Sequence, residues 1–250
     1  PKAAGGERPI MIFRTAVRLY CRMVAQLVRQ WMPLTPDWIN TRGGRKITDA
    51  VWRQQMEIFA SAETHNEHEL QGKFVEVLVD LTKAFEAVSR ELLIHAAHRV
   101  GYPVQALEVA LVTYGWPRRL AYRGAVTEAV YALRGICAGS ASATAELCVM
   151  GVAYLGPVVQ SWNRVQFLLR VDDLSMCSRG REPLALAQQA VRVFDEAKQA
   201  LQEEAKLPLA PTKTQVVSTS VQLAQAVASM LEGHQPQAEV AVKKLGIDYI

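Results

Sequence analysis

An α+β fold is predicted by three features of the sequence. Two apolar stretches, FVEVLVD (74–80) and RVQFLLRV (164–171), have the length and β-branched content of strands, and each runs into aspartate. Helical stretches lie between and after them without the regular strand–helix alternation that builds a doubly wound parallel sheet. Half of the 250 residues are hydrophobic and mean hydropathy is +0.04, enough apolar material for a core of one or two domains.

The elements follow in order. Residues 10–32 are apolar and Arg-rich, and Arg14, Arg18, Arg22 and Arg29 fall along one helical stripe. Pro33, Pro36 and the Gly43–Gly44 pair break the chain. Residues 46–62 read as helix again, and THNEHEL (64–70) as a polar loop. In the strand 74–80, Val75, Val77 and Val79 point to one face and Phe74, Glu76, Leu78 and Asp80 to the other. Ser89 caps a helix with Glu91 in its first turn, and Gly101 with Pro103 ends it. A second helix occupies 104–115, and Arg118 to Val130 form a short hairpin around Gly124. A Gly-rich turn at 135–139 opens a helix of small residues to about 155. The strand 164–171 ends at Asp172–Asp173. A helix at 184–205, a strand at 215–219, a helix at 221–232 and a last strand around 239–247 complete the chain.

Charge and cysteines narrow the class. Net charge is only +4, but residues 1–53 carry ten basic residues against Glu7, Asp37 and Asp49, while 54–92 turn acidic. A basic end suits a polyanion such as nucleic acid or a nucleoside triphosphate, and equally a solvated surface. Cys21, Cys137, Cys148 and Cys177 have no close pairing or metal-ligand spacing and read as reduced thiols of an intracellular protein. No membrane span is predicted, since no run of eighteen apolar residues is seen. The start, PKAAGGERPI, lacks both a secretory core and a Met, so the expectation is a piece of a longer protein.

The chemistry lies in the carboxylates. Asp80 and the Asp172–Asp173 pair each end an apolar strand, and carboxylates at adjacent strand ends can hold two divalent metals about 3.5–4 Å apart. Hard oxygen ligands suit Mg²⁺, which needs few protein ligands. Most Asp-Asp pairs lie in exposed turns, so the pair alone is weak evidence; the apolar strand before it favours a site. His65 with His68, and His95 with His98, have a spacing that zinc sites use, but lack a nearby third ligand and read as structural or solvent-facing. Arg118 and Arg119, after Trp116–Pro117, suit a template backbone or a solvated turn. The five tryptophans read as core anchors.

With these residues in view, a family resemblance emerges. DLTKAF (80–85) resembles the first palm motif of reverse transcriptases, and RGICAGSASAT (134–144) resembles the second. VDDL (171–174) is similar to their metal-binding hairpin, LPLAPTKTQVV (207–217) to the fourth motif, and KKLGIDY (243–249) to the primer-grip hairpin. PKAAGGERPI is similar to the fingers segment that holds the triphosphate. GGRKITDAVWRQQ (43–55) resembles the segment before the first palm motif in non-LTR retrotransposon and group II intron enzymes.

The resemblance implies right-hand polymerase architecture: a fingers-like segment at 1–72 and a palm at 73–250, an antiparallel sheet backed by helices. The 104–145 region would join fingers to palm, and the chain would stop before the thumb. The implied activity is RNA-directed DNA polymerisation by a retroelement enzyme, with RNA or DNA template, primer and dNTPs as partners. Two Mg²⁺ (or Mn²⁺) ions would serve as cofactors, and further domains of a polyprotein are expected; nuclear localisation is an open alternative. Position by position, Asp80, Asp172 and Asp173 would be metal ligands, helped by the Leu81 carbonyl. Lys2 and Arg8 would grip the triphosphate, and Phe85 would exclude a 2′-hydroxyl. Gly139 would let the backbone pass close to nucleotide and template, and Lys213 would sit near the pyrophosphate as general acid. Two positions depart from the family pattern: Arg170, where an aromatic or apolar residue is usual, and Ala138, where Gln is usual. Arg170 is expected to pair with an active-site carboxylate or a primer phosphate. The rival readings are an RNA-directed RNA polymerase and a decayed palm that binds nucleic acid without catalysis.

Overall fold

The structure, a computed structural model, describes residues 12–41, 48, 52, 56, 73–239, 242–244 and 247–249. Helix α1 (Thr15–Trp31) opens it, with Arg14 at its N-cap and Arg18, Arg22 and Arg29 exposed. Its inner end is anchored by Trp31, which is buried, stacks edge-on against Tyr102 and donates Nε1–H to the Val100 carbonyl at 3.0 Å.

The centre is a five-stranded sheet. Strand β1 (Lys73–Asp80) is followed by α2 (Ala84–Ala87), α3 (Arg90–Arg99) and α4 (Val104–Gly115). A two-stranded ribbon of β2 (Ala121–Tyr122) and β3 (Ala125–Val126) leads to the long helix α5 (Ala143–Ser161). The hairpin of β4 (Gln166–Arg170) and β5 (Asp173–Gly180), helix α6 (Pro183–Lys198), strand β6 (Gln215–Ser218), helix α7 (Val221–Met230) and strand β7 (Gln237–Glu239) complete the body. Strand order is β4-β5-β1-β6-β7, antiparallel throughout except for the parallel β6–β7 pair. Helix α6 packs on β1 and β5, and α7 on β6. This is an α+β fold with a helix-backed, mainly antiparallel sheet, as the sequence predicts.

Local chemistry explains most boundaries. The Ser89 hydroxyl accepts from Leu92 N–H and caps α3, while Gly101, at φ +66°, carries the chain away from its end. The apolar stripe Val75, Val77 and Val79 is buried as expected; Phe74 and Glu76 on the other face are buried too. In the described residues the strand β1 opens to solvent chiefly toward its Asp80 end.

Several expectations need correction. Strand β4 is shorter than 164–171, and α5 runs past 155 to Ser161 despite Pro157. By length and composition α5 could cross a bilayer, which the reading of no apolar span did not anticipate. Here it is a core helix, packed on α3, and so close to β4 that a Cβ on Gly151 would lie 2.3 Å from Leu169 Cδ2. In place of one last strand at 239–247, β7 joins the main sheet, and β8 (Val242–Lys244) pairs antiparallel with β9 (Ile247–Tyr249). The described residues of KKLGIDY thus lie in an antiparallel pair, and residues 245–246 between the two strands lie outside the described residues. Not all tryptophans are core anchors: Trp52 and Trp116 are exposed. Among the described residues none of the four cysteines forms a disulfide, and His95 and His98 face solvent.

Candidate active site

The site is built at the end of the sheet where β1 and β4 finish and β5 begins. In register, Asp80 on β1 stands opposite Asp173 on β5, and Asp173 stands opposite Arg170 on β4. Register partners in an antiparallel pair project from the same face. Arg170, Asp173 and Asp80 therefore form a row across three strands, and line one small cavity with Lys213 and Gln215.

The β4–β5 turn fixes the third carboxylate. Its two residues, Val171 and Asp172, connect the pair Arg170–Asp173, and Val171 sits at φ +57°. A positive φ at the first turn position suits a two-residue hairpin whose twist follows its strands, and glycine normally supplies it. For a β-branched residue that conformation costs on the order of 1–3 kcal/mol. The turn is held by the Asp172 carbonyl, which accepts from Leu81 N–H at 3.0 Å. Asp172 and the residue after Asp80 are thus joined directly.

Lys213 completes the cluster from the segment before β6. That segment is seated beside β1: Thr82 N–H donates to the Pro208 carbonyl at 2.7 Å, and Ala210 N–H to the Asp80 carbonyl at 2.8 Å. The Lys213 ammonium donates to Asp80 Oδ2 in a short, charge-assisted contact. The Asp173 carboxyl is pushed up to about 6, first by protein packed around it and then by the negative charges of Asp172 and Asp80; Lys213 and Arg170 oppose the shift. The residue as a whole keeps exposed surface.

Whether this cluster suits divalent metal is decided by its donors. They are all hard oxygens, and burial together with the negative charge of Asp172 and Asp80 raises the cost of an ionised Asp173, a cost that a bound cation would lower. Among the described residues no three-ligand His, Cys, Asp or Glu cage stands ready, and Lys213 occupies Asp80. Mg²⁺ needs only one or two carboxylates, so the residues fit it.

The second-motif loop lies against the first. Phe85 is half-buried against the core, and its carbonyl accepts from Ile136 N–H at 2.8 Å. Gly135 N–H donates to the Val88 carbonyl at 2.8 Å. Gly135 is required twice over: its φ is +86°, and a Cβ there would lie 2.9 Å from the Glu86 carbonyl oxygen. Gly139 is exposed at φ +97°. The sequence-predicted Asp80, Leu81, Asp172, Asp173 and Lys213 are therefore together, with Phe85 and Gly139 on the two segments that touch beside them. Lys2 and Arg8 lie outside the described residues, as do His65 and His68.

Two supporting groups escaped the sequence reading. Arg90 fastens the second-motif loop, donating Nε–H to the Gly135 carbonyl at 2.9 Å and Nη2–H to the Tyr114 carbonyl at 2.8 Å. Glu146, fully buried on α5, accepts from Tyr114 OH and Ser142 Oγ, each at 2.7 Å. Burial pushes its carboxyl up, against those two hydrogen bonds. Ser142 and Glu146 stand four apart, one helical turn, and that spacing was a visible signal for the pair; nothing local marked Arg90.

A reverse transcriptase (RNA-dependent DNA polymerase) family model matches residues 1–248. The chain belongs to this family. No curated protein matches the chain in sequence. Among solved structures, telomerase from Candida albicans, in complex with a TWJ fragment of telomeric RNA, is similar at TM-score 0.55 and 11% identity, over 82% of this chain. Telomerase from Candida tropicalis with the same kind of RNA fragment is similar at 0.53 and 8%, over 82%. The apo enzyme truncated from its C-terminal domain is similar at 0.51 and 10%, over 83%. The chain spans 36%, 33% and 41% of those three chains, and at these identities they share its fold. This reverse transcriptase domain thus carries its three motif aspartates at the open end of the palm sheet.

Proposed function

We propose that the chain is the fingers and palm of an RNA-directed DNA polymerase of a retroelement, of the non-LTR or group II intron type. Residues 1–72 would serve as fingers and 73–250 as palm, with 104–145 joining them. The observation that carries this reading is the row of Asp80 and Asp173 beside the Asp172 turn, with Lys213 on Asp80. Asp80, Asp172 and Asp173, with the Leu81 carbonyl, would hold two Mg²⁺ or Mn²⁺ ions. Bound there, the ions would acidify the primer 3′-hydroxyl and neutralise charge on the departing pyrophosphate.

The chain's own residues do the rest. Lys213, freed from Asp80, hands a proton to the pyrophosphate oxygen. Phe85 closes the space that a 2′-hydroxyl would need, and the Gly139 backbone passes close to base and template. Lys2 and Arg8 hold the triphosphate as charge-assisted donors. The similar telomerases are complexes with a fragment of telomeric RNA, which is in keeping with RNA as a partner.

A second reading, a palm that binds nucleic acid without catalysis, is favoured by one observation. Two cations, Arg170 and Lys213, already flank the carboxylates. Primer extension on matched RNA and DNA templates with Mg²⁺ and dNTPs separates the two. Extension on RNA is the expected result. Tight primer–template binding with no product under any metal would leave the non-catalytic reading standing.

A further inference from the structure

The Lys213 side chain is 67% exposed, so packing does not fix where its ammonium stands. A flexible four-carbon stem leaves that to the Asp80 carboxylate at its tip and the backbone turn at its root. The turn is Ala210–Lys213, closed by Lys213 N–H donating to the Ala210 carbonyl at 3.1 Å, with Pro211 at the position where a fixed φ suits a turn. Ala210 N–H donates to the Asp80 carbonyl, which ties the turn to β1 on one side. On the other side it is tied to the loop between α7 and β7. Gln235 N–H donates to the Pro211 carbonyl and Gln237 N–H to the Thr214 carbonyl, each at 3.1 Å.

From that loop His234 reaches in: its Nδ1 and the Thr214 hydroxyl share a hydrogen bond of 2.7 Å. Thr214 is fully buried, and the Ala210 carbonyl, the hydroxyl's other acceptor, lies at a long 3.4 Å. A buried hydroxyl without a good partner is costly, and His234 supplies the partner. The imidazole is itself held. Its ring stands edge-on to the buried Phe194 of α6, with centroids 4.9 Å apart at an angle of 88°. Gly233 turns the chain into place at φ +75°, and the Lys198 ammonium of α6 donates to the Glu232 carbonyl at 3.0 Å. Burial and the Lys198 charge hold the imidazole below its ordinary value, which keeps it neutral at pH 7. A histidine that only filled the space beside Phe194 would need no aimed nitrogen; here the aimed nitrogen ends on the residue next to Lys213. We infer that His234 is a positioning residue for Lys213: through the Thr214 hydroxyl it fixes the turn from which the lysine reaches Asp80. The inference rests on the polymerase reading for the proton that Lys213 would hand on, but the coupling itself belongs to the fold.

Amine labelling tests this on the whole chain, without primer or nucleotide. A brief pulse of acetic anhydride, read lysine by lysine by mass spectrometry, gives the labelling of Lys213 relative to Lys206. Their side chains are 67% and 62% exposed, so a change in the ratio reports the hold of Asp80 and not access. Asp80→Asn should raise the ratio and sets its value for a released lysine. His234→Phe keeps a ring against Phe194 and removes the bond. It should raise the ratio about fivefold, the size of one lost hydrogen bond, and Thr214→Val should do the same. His234→Asn, which keeps a polar atom near the Nδ1 position, should stay close to wild type. In primer extension, His234→Phe should lower kcat by a similar factor at an unchanged KM for dNTP, and should cost nothing further on top of Lys213→Ala. A ratio that His234→Phe leaves unchanged overturns the inference. So does an equal rise in His234→Asn, or a ratio that Asp80→Asn itself does not move. Losses that simply add in the double variant overturn it as well. A chain that never extends a primer yet shows the labelling pattern would refute the polymerase reading and leave the positioning standing.

Discussion

Asp80 and Asp173 are the last register partners of β1 and β5, with Arg170 across from Asp173 and Lys213 on Asp80. The row reads cation, acid, acid, cation. Two carboxylates on neighbouring strands repel, and the positive charges of Lys213 and Arg170 offset part of that repulsion. That arrangement leads to the first prediction. Asp80→Asn should reduce primer extension by about a thousandfold or more, since several kcal/mol of charge stabilisation are lost at 1.36 kcal/mol per tenfold. Primer–template affinity, read by anisotropy, should stay within about twofold, because phosphate contacts lie elsewhere. Extension near the wild-type rate would remove Asp80 from the chemistry.

Phe85 supplies the second test. Its ring is half-buried, so shrinking it costs both packing and exclusion. Phe85→Ala should lower stability by about 1–3 kcal/mol, less than for a fully buried ring. At a temperature where the variant is folded, ribonucleotide incorporation should rise relative to deoxynucleotide incorporation. Equal loss of both substrates, tracking the melting temperature, would assign Phe85 to the core alone.

Gly135 gives a purely structural prediction. Gly135→Ala meets both the φ of +86° and the Glu86 carbonyl, so it should destabilise the domain by about 1–3 kcal/mol in a thermal melt. Because the clash separates the two motif loops, extension should fall further than stability alone explains. A melt identical to wild type would show that the two loops yield freely.

Glu146 predicts a pH effect. Its carboxyl is raised above the ordinary 4.5, so the folded chain keeps a proton there that the unfolded chain has lost. From about pH 4.5 upward, through the raised value, this group therefore makes stability fall as pH rises. Glu146→Gln keeps the shape and removes the titration. Its melting temperature relative to wild type should climb with pH over that window; a constant difference would contradict the assignment. Glu146→Ala strands the Tyr114 and Ser142 hydroxyls and should cost about 1–3 kcal/mol below that window, and less as pH rises through it.

Sequence alone determined the elements whose causes are local. The strand at 74–80 shows in its alternating valines, the α3 boundaries in Ser89 and Gly101, and α4 in its largely apolar stretch before Trp116–Pro117. The order of short motifs placed Asp80, Asp172, Asp173 and Lys213 in one family frame, because each motif keeps its residues within a few positions of one another. Tertiary structure decided what depends on distant partners. The register that sets Asp80 against Asp173, and the seat of Lys213 on Asp80, come from pairings no local pattern encodes. The same holds for Arg90, which bonds carbonyls at 114 and 135, and for the parallel strand β7 that replaced the single last strand. Burial on both faces of β1 was likewise invisible in its alternation, since what covers a strand is chosen by the chain that packs on it and not by the strand itself.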